Sequence, residues 1–167
     1  MPYDMHRIFC ATPGDLEDER RAFYELIAEF NEQHSVKRNI LFVPVSVTPN
    51  MTDTRSFRPA IKDNIRACTF YIQLIEESWG PPQKNFEREF ALAESFAADA
   101  DLPMKEIVTF FKKPLLPHHV DPDIVALKQS LQNPPEFENV DEFRTILKAL
   151  LARWVEGIAP ASREAGA

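Results

Sequence analysis

Glycine, cysteine, long apolar runs and basic residues are all scarce in this chain. Its four glycines in 167 residues compose neither a P-loop nor a GxGxxG turn, which removes two common phosphate cradles. Two cysteines, Cys10 and Cys68, cannot build a disulfide framework. Each lies in or beside an apolar strand-like run, the setting of buried free thiols in a cytoplasmic protein. No apolar run is long enough to span a membrane, and Met1-Pro2-Tyr3-Asp4 opens too polar for a signal peptide. Lys and Arg number 19 against 26 Asp and Glu, a net charge of −7. Phosphate contacts need cations, so this balance argues against a nucleic-acid or membrane-surface partner.

What is present suits one globular domain over residues 1–157, followed by a tail, 158–167, expected to be disordered. Hydrophobic residues make up 44% of the chain, and thirteen phenylalanines supply much of the bulk of a core. Arg7 to Thr12 reads as a short buried strand stopped by Pro13-Gly14. Asp15 is placed to cap a helix from about Leu16 to Gln33, with Leu16, Phe23, Leu26, Ile27 and Phe30 at helical spacing. Further strands are expected at Asn39 to Val47, Thr69 to Ile75 and Glu106 to Phe111, with a short fifth within Pro135 to Val140. Pro44 marks the second as an edge strand or an early end. Helices are expected at 58–67, 86–100, 121–131 and 140–155. Alternating strands and helices imply an α/β domain with a mostly parallel sheet covered on both faces. Ligands in such sheets bind beyond the carboxyl ends of the strands. The loops at 12–15, 48–57 and 76–84 therefore matter most.

Glu89 is the residue that breaks pattern. Phe86, Phe90, Ala93, Phe96 and Ala97 fall on one arc of their helix, and Glu89 falls within it. Glu87 and Glu94 project from the edge of the arc, while Arg88 and Ser95 point away. A carboxylate among apolar neighbours loses hydration and is expected to have a raised pKa. The bland alternative is a helix-edge glutamate paired with a Lys or Arg.

Other polar residues carry weaker signals. Thr12, Pro13 and Gly14 form a turn whose backbone N–H groups could approach a ligand, although Asp15, Glu17, Asp18 and Glu19 make it poor for a pyrophosphate. Arg20 suits a structural ion pair, and Arg55 and Arg58 suit solvated charges or phosphate contacts. Trp79, before Gly80, either stacks on a base or packs in the core. His118 and His119 with Asp121 and Asp123 lack the further ligands of a metal site. His6 and His34 have no evident catalytic partner, and no Ser-His-Asp or Cys-His set assembles.

Four stretches taken in order resemble the bacterial TIR-like family of unknown function, found at the front of larger defence or NTP-binding proteins. Ile8 to Arg20 looks like its opening strand, small-residue turn, Gly-Asp-Leu and Glu-Arg. Ile61 to Ile72 resembles its helix-Cys-Asp-strand passage, with Thr69 in place of the Asp. Trp79-Gly80 leading to Glu89-Phe90-Ala91-Leu92-Ala93 resembles its glutamate helix, and Phe137 to Trp154 its closing strand and helix. The resemblance implies a three-layer, flavodoxin-like fold with strand order 2-1-3-4-5. It also implies an enzyme without a cofactor that cleaves the nicotinamide–ribose bond of NAD+ or a related nucleotide. Glu89 would be catalytic, and Thr12, Pro13, Gly14, Asp15, Trp79, Gly80 and Phe86 would bind the substrate. Self-association or a partner protein would complete the site. Two other readings belong to the same resemblance: a non-catalytic adaptor, and a nucleoside deoxyribosyltransferase-like enzyme using the same glutamate.

Overall fold

A computed structural model describes residues 2–12, 16–46, 59–79 and 83–158. Five strands, β1 (Asp4–Ala11), β2 (Ile40–Val45), β3 (Phe70–Ile75), β4 (Glu106–Lys112) and β5 (Glu136–Phe137), form one sheet of order β2-β1-β3-β4-β5. Every pairing is parallel. The helices are α1 (Glu17–Arg38), α2 (Pro59–Arg66), α3 (Gln83–Ala97), α4 (Pro122–Ser130) and α5 (Val140–Gly157), with a 3-10 turn at Pro117–His119.

The layers follow from alternation along the strands. Ile8, Cys10, Phe70, Ile72, Leu74 and Phe110 pack with α1 and α5 on one face. Phe9, Ala11, Tyr71, Ile75 and Phe111 pack with α2, α3 and α4 on the other. All six residues of β3 are buried, because the central strand is covered on both faces and flanked on both edges. Salt bridges join Glu25 to Arg144 and Arg38 to Glu156, so α1 and α5 run side by side in the same direction. At the start of α5 the Asn139 side chain accepts the Glu142 backbone N–H at 2.9 Å.

Several boundaries differ from the sequence expectation. β1 begins at Asp4 rather than Arg7, pairing from Asp4 opposite Ile40 onward. α1 runs to Arg38, past the last buried apolar residue, Phe30. Its polar final turn carries Lys37 and Arg38 against the helix dipole, and Asn39 closes it at φ 56°. Leu16, with no side-chain cap, holds the cap position expected of Asp15, which lies outside the described residues. α3 spans 83–97 rather than 86–100. Pro44 does sit in an edge strand, β2, opposite Ile8. The 48–57 loop, with Arg55, and Arg58 lie outside the described residues; so does the tail expected to be disordered, 158–167, except for Ile158, which is buried in the core.

Candidate functional site

After β1 the chain crosses to one face of the sheet as α1, and after β3 it crosses to the other as α3. Adjacent strands whose helices depart to opposite faces leave a crevice between their carboxyl ends. Ala11 and Gln73, in register, mark that point on β1 and β3.

Glu89, on α3, is 5% exposed and close enough to Tyr71 of β3 for its charge to act on the phenol. Most of its helical neighbours behave as their phase requires: Phe90, Ala93 and Phe96 are buried, while Glu87, Arg88 and Ser95 are exposed; Ala97, expected on the buried arc, is exposed in the last position of the helix. Among the described residues the Glu89 carboxylate has no hydrogen bond or ion pair, so no described Lys or Arg supplies the bland pairing. Burial alone lifts its pKa from 4.5 to about 7.

Near Glu89 lies a polar relay on β3 that the sequence reading did not single out. The Tyr71 hydroxyl donates to Gln73 Oε1 at 3.0 Å. Gln73 Nε2 in turn donates to the Leu74 carbonyl at 3.2 Å and the Ala11 carbonyl at 3.5 Å. Both side chains are fully buried. Burial holds the Tyr71 phenol well above its ordinary pKa, and the nearby Glu89 charge raises it further. The signal was available: Gln73 interrupts an otherwise apolar strand, and Tyr71, two residues earlier, shares its face.

Aromatic rings wall the relay. Phe9 stacks on Tyr71 with ring centres 5.5 Å apart, and Phe90 meets Tyr71 edge-on at 6.4 Å. Trp79, 7% exposed, packs on Phe90 at 5.4 Å. Phe86 is half-buried against the same cluster, and Thr12 is half-buried just past the end of β1. The structure thus gathers Glu89, Trp79 and Phe86 at one cluster. Pro13, Gly14, Asp15 and Gly80 lie outside the described residues.

The remaining singled-out residues have other places. Arg20 donates to Glu17 at 2.8 Å, the structural ion pair expected. His34 packs against Phe30, and His118 and His119 stand exposed in the 3-10 turn. Among the described residues no three His, Cys, Asp or Glu side chains group to hold a metal ion. Cys10 and Cys68 are buried free thiols. Burial pushes Cys68 up to about 12 and Cys10 higher still, so neither is a ready nucleophile.

His6 has hydrogen-bond partners that the sequence did not show. Its Nε2 lies 3.0 Å from Asp4 Oδ2 and its Nδ1 lies 3.2 Å from Thr69 Oγ1. With β1 starting at Asp4, Asp4 and His6 share a strand face, which the later expected start concealed. This set lies at the amino ends of β1 and β3, away from Glu89. Thr69, standing where the family pattern has Asp, is tied there through its backbone to Arg7 and Lys105 as well.

No helix among the described residues is long and apolar enough to cross a membrane. No model of a known protein family matches the chain, and no curated protein matches it.

Proposed function

We propose that the chain is a TIR-like, nucleotide-binding effector domain that cleaves the nicotinamide–ribose bond of NAD+ or a related nucleotide, in bacterial defence or signalling. The observation that carries this reading is the Glu89 carboxyl, buried yet unpaired among the described residues, on the helix that follows β3.

When that bond breaks, nicotinamide leaves as a neutral base with the C–N electron pair, and positive charge passes to the ribosyl group. Water then adds through its oxygen at the anomeric carbon and loses a proton. A carboxylate in an apolar surround stabilises this cation far more than one in water does. Glu89 is the carboxylate at hand, and its elevated pKa also suits it to take the water's proton. The Tyr71–Gln73 relay gives it a polar, hydrogen-bonded neighbour on β3.

The test is nicotinamide release from NAD+ by the purified protein, assayed dilute and concentrated. We expect Glu89→Gln to keep its fold and lose at least a hundredfold in rate. Wild-type kcat/KM should rise with pH through about 7 as Glu89 ionises. A Glu89→Gln variant as active as wild type sinks the assignment. Base exchange between deoxynucleosides would instead mark a deoxyribosyltransferase.

A second reading, a non-catalytic interaction module, draws support from burial. Glu89 is 5% exposed, and Trp79 packs its ring against Phe90. No NAD+ turnover at any protein concentration would favour it.

A further inference from the structure

The hydrogen bonds of Gln73 leave its amide only one orientation. Its Nε2 lies 3.2 Å from the Leu74 carbonyl and 3.5 Å from the Ala11 carbonyl, and carbonyls only accept. The nitrogen end therefore faces them, and the oxygen end, Oε1, faces the Tyr71 hydroxyl at 3.0 Å. An amide oxygen has no proton to give, so the Tyr71 hydroxyl must donate. Its single proton is then committed. To every other neighbour the phenol oxygen offers only lone pairs.

The titratable neighbour is Glu89. Phe90, the next residue along α3, meets the Tyr71 ring edge-on at 6.4 Å. Phe86 and Ala93, one turn to either side of Glu89, join the same hydrophobic cluster as Tyr71. The stretch of α3 that holds Glu89 is thus the stretch packed against Tyr71. No hydrogen bond joins the two side chains, so the coupling is that of a fixed O–H dipole on a nearby charge. With its negative end turned outward, this dipole disfavours a carboxylate, and burial leaves little water to screen it. Turning the proton toward Glu89 would strip the buried Gln73 Oε1 of its donor, which is itself unfavourable.

No described Lys or Arg pairs with Glu89 to offset this preference. Lys62, Asp63 and Arg66 on α2, Arg7 on β1, and Glu87, Arg88 and Glu94 on α3 are exposed. On β4, Glu106 binds Arg153 of α5 and Lys112 binds Glu19 of α1, both helices of the other face. Lys128 of α4 pairs with Glu136, and Asp123 is exposed. The Cys68 thiol donates to the Asn64 carbonyl at 3.1 Å, and Glu76 and Glu77 stand half-buried after β3.

We propose that Tyr71 is a positioning residue for Glu89: with its proton held by Gln73, its outward lone pairs disfavour the Glu89 carboxylate, so the direction of the relay sets the pH at which that carboxylate forms. A relay running the other way, with Tyr71 donating toward α3, would favour the carboxylate instead. The inference concerns the same carboxyl as the enzymatic reading but does not depend on Glu89 being catalytic. Should the chain cleave nucleotides, the relay also fixes where its pH profile rises.

The titration of Glu89, followed by nuclear magnetic resonance of its carboxyl carbon, reads the effect without any substrate. Tyr71→Phe removes the dipole and should lower the midpoint by about half a pH unit. Gln73→Met keeps the side-chain length but frees the Tyr71 proton to turn toward Glu89, and should lower it by about one. In the double variant the midpoint should return to that of Tyr71→Phe alone, because Gln73 acts only through the Tyr71 proton. An unchanged or raised midpoint in either single variant overturns the proposal. So does a double variant in which the two decreases add, the behaviour of water entering a loosened core. In the unsubstituted protein, where folding is not in question, the Tyr71 hydroxyl proton should show Overhauser contacts to the Gln73 side chain. Contacts to the Glu89 side chain in their place overturn the proposal as well.

Discussion

The Glu89 carboxyl ionises near pH 7 in the folded chain and near 4.5 when free. Below pH 4.5 both states hold the proton, and the residue costs the fold nothing. As pH rises through 7 the folded state must ionise a buried group, and the stability held at low pH is lost. At about 1.4 kcal/mol for each pKa unit, the full penalty above pH 7 is roughly 3 kcal/mol. Glu89→Gln should therefore be more stable than wild type by up to that amount at pH 8 and indistinguishable at pH 4. Paired urea titrations at the two values measure this, and equal stabilities at pH 8 would refute the raised pKa of the buried carboxyl. Helical phase alone made this residue legible, because Phe86, Phe90, Ala93 and Phe96 fix which way α3 faces. The relay near it was harder to read. Tyr71 comes near Glu89 only because α3 packs on that face of β3, and nothing in the order of residues states that distance.

Glu19, in the first turn of α1, is 2% exposed and bonded to Lys112 at the end of β4 across 2.8 Å. The pair ties α1 to a strand two places across the sheet from β1, passing over β3. Removing only the cation leaves a buried, uncompensated charge. Lys112→Met should destabilise the protein by about 2–4 kcal/mol, with Glu19→Met in the same chain recovering most of the loss. Thermal or urea unfolding reads both, and a silent Lys112→Met would show that Glu19 finds another partner. Helical phase also bore on this site: Glu19 continues the buried series Ala22, Phe23, Leu26, Ile27 and Phe30 backwards by one turn. Its partner, 93 residues on, could not be read from spacing. Element order was legible because strands rich in Ile, Phe and Val alternate with amphipathic helices. The ends were less so, since the last turn of α1 and the first residues of β1 are polar, and their placement depends on dipole and pairing rather than burial.

Parallel sheets covered on both faces concentrate stability at their centre. Every residue of β3 is buried and paired on both sides, whereas β2 and β5 each have one neighbour and β5 has only two residues. Native-state hydrogen exchange should find β3 amides opening only with global unfolding, and β2 and β5 amides opening at lower free energy. Uniform protection across all five strands would contradict that gradient. Strand order was not encoded in any single motif; it followed from the family resemblance, and the sheet has that order. Pro44 in β2 carries a consequence for crowded conditions. A bare edge strand is a template on which further chains can be added, rung upon rung, into a fibre. A proline leaves β2 one donor short, and the opposite edge is too brief to seed growth. Neither margin of the sheet is fit to polymerise, so copies that gather at high concentration remain separate folded bodies instead of merging into one endless ribbon.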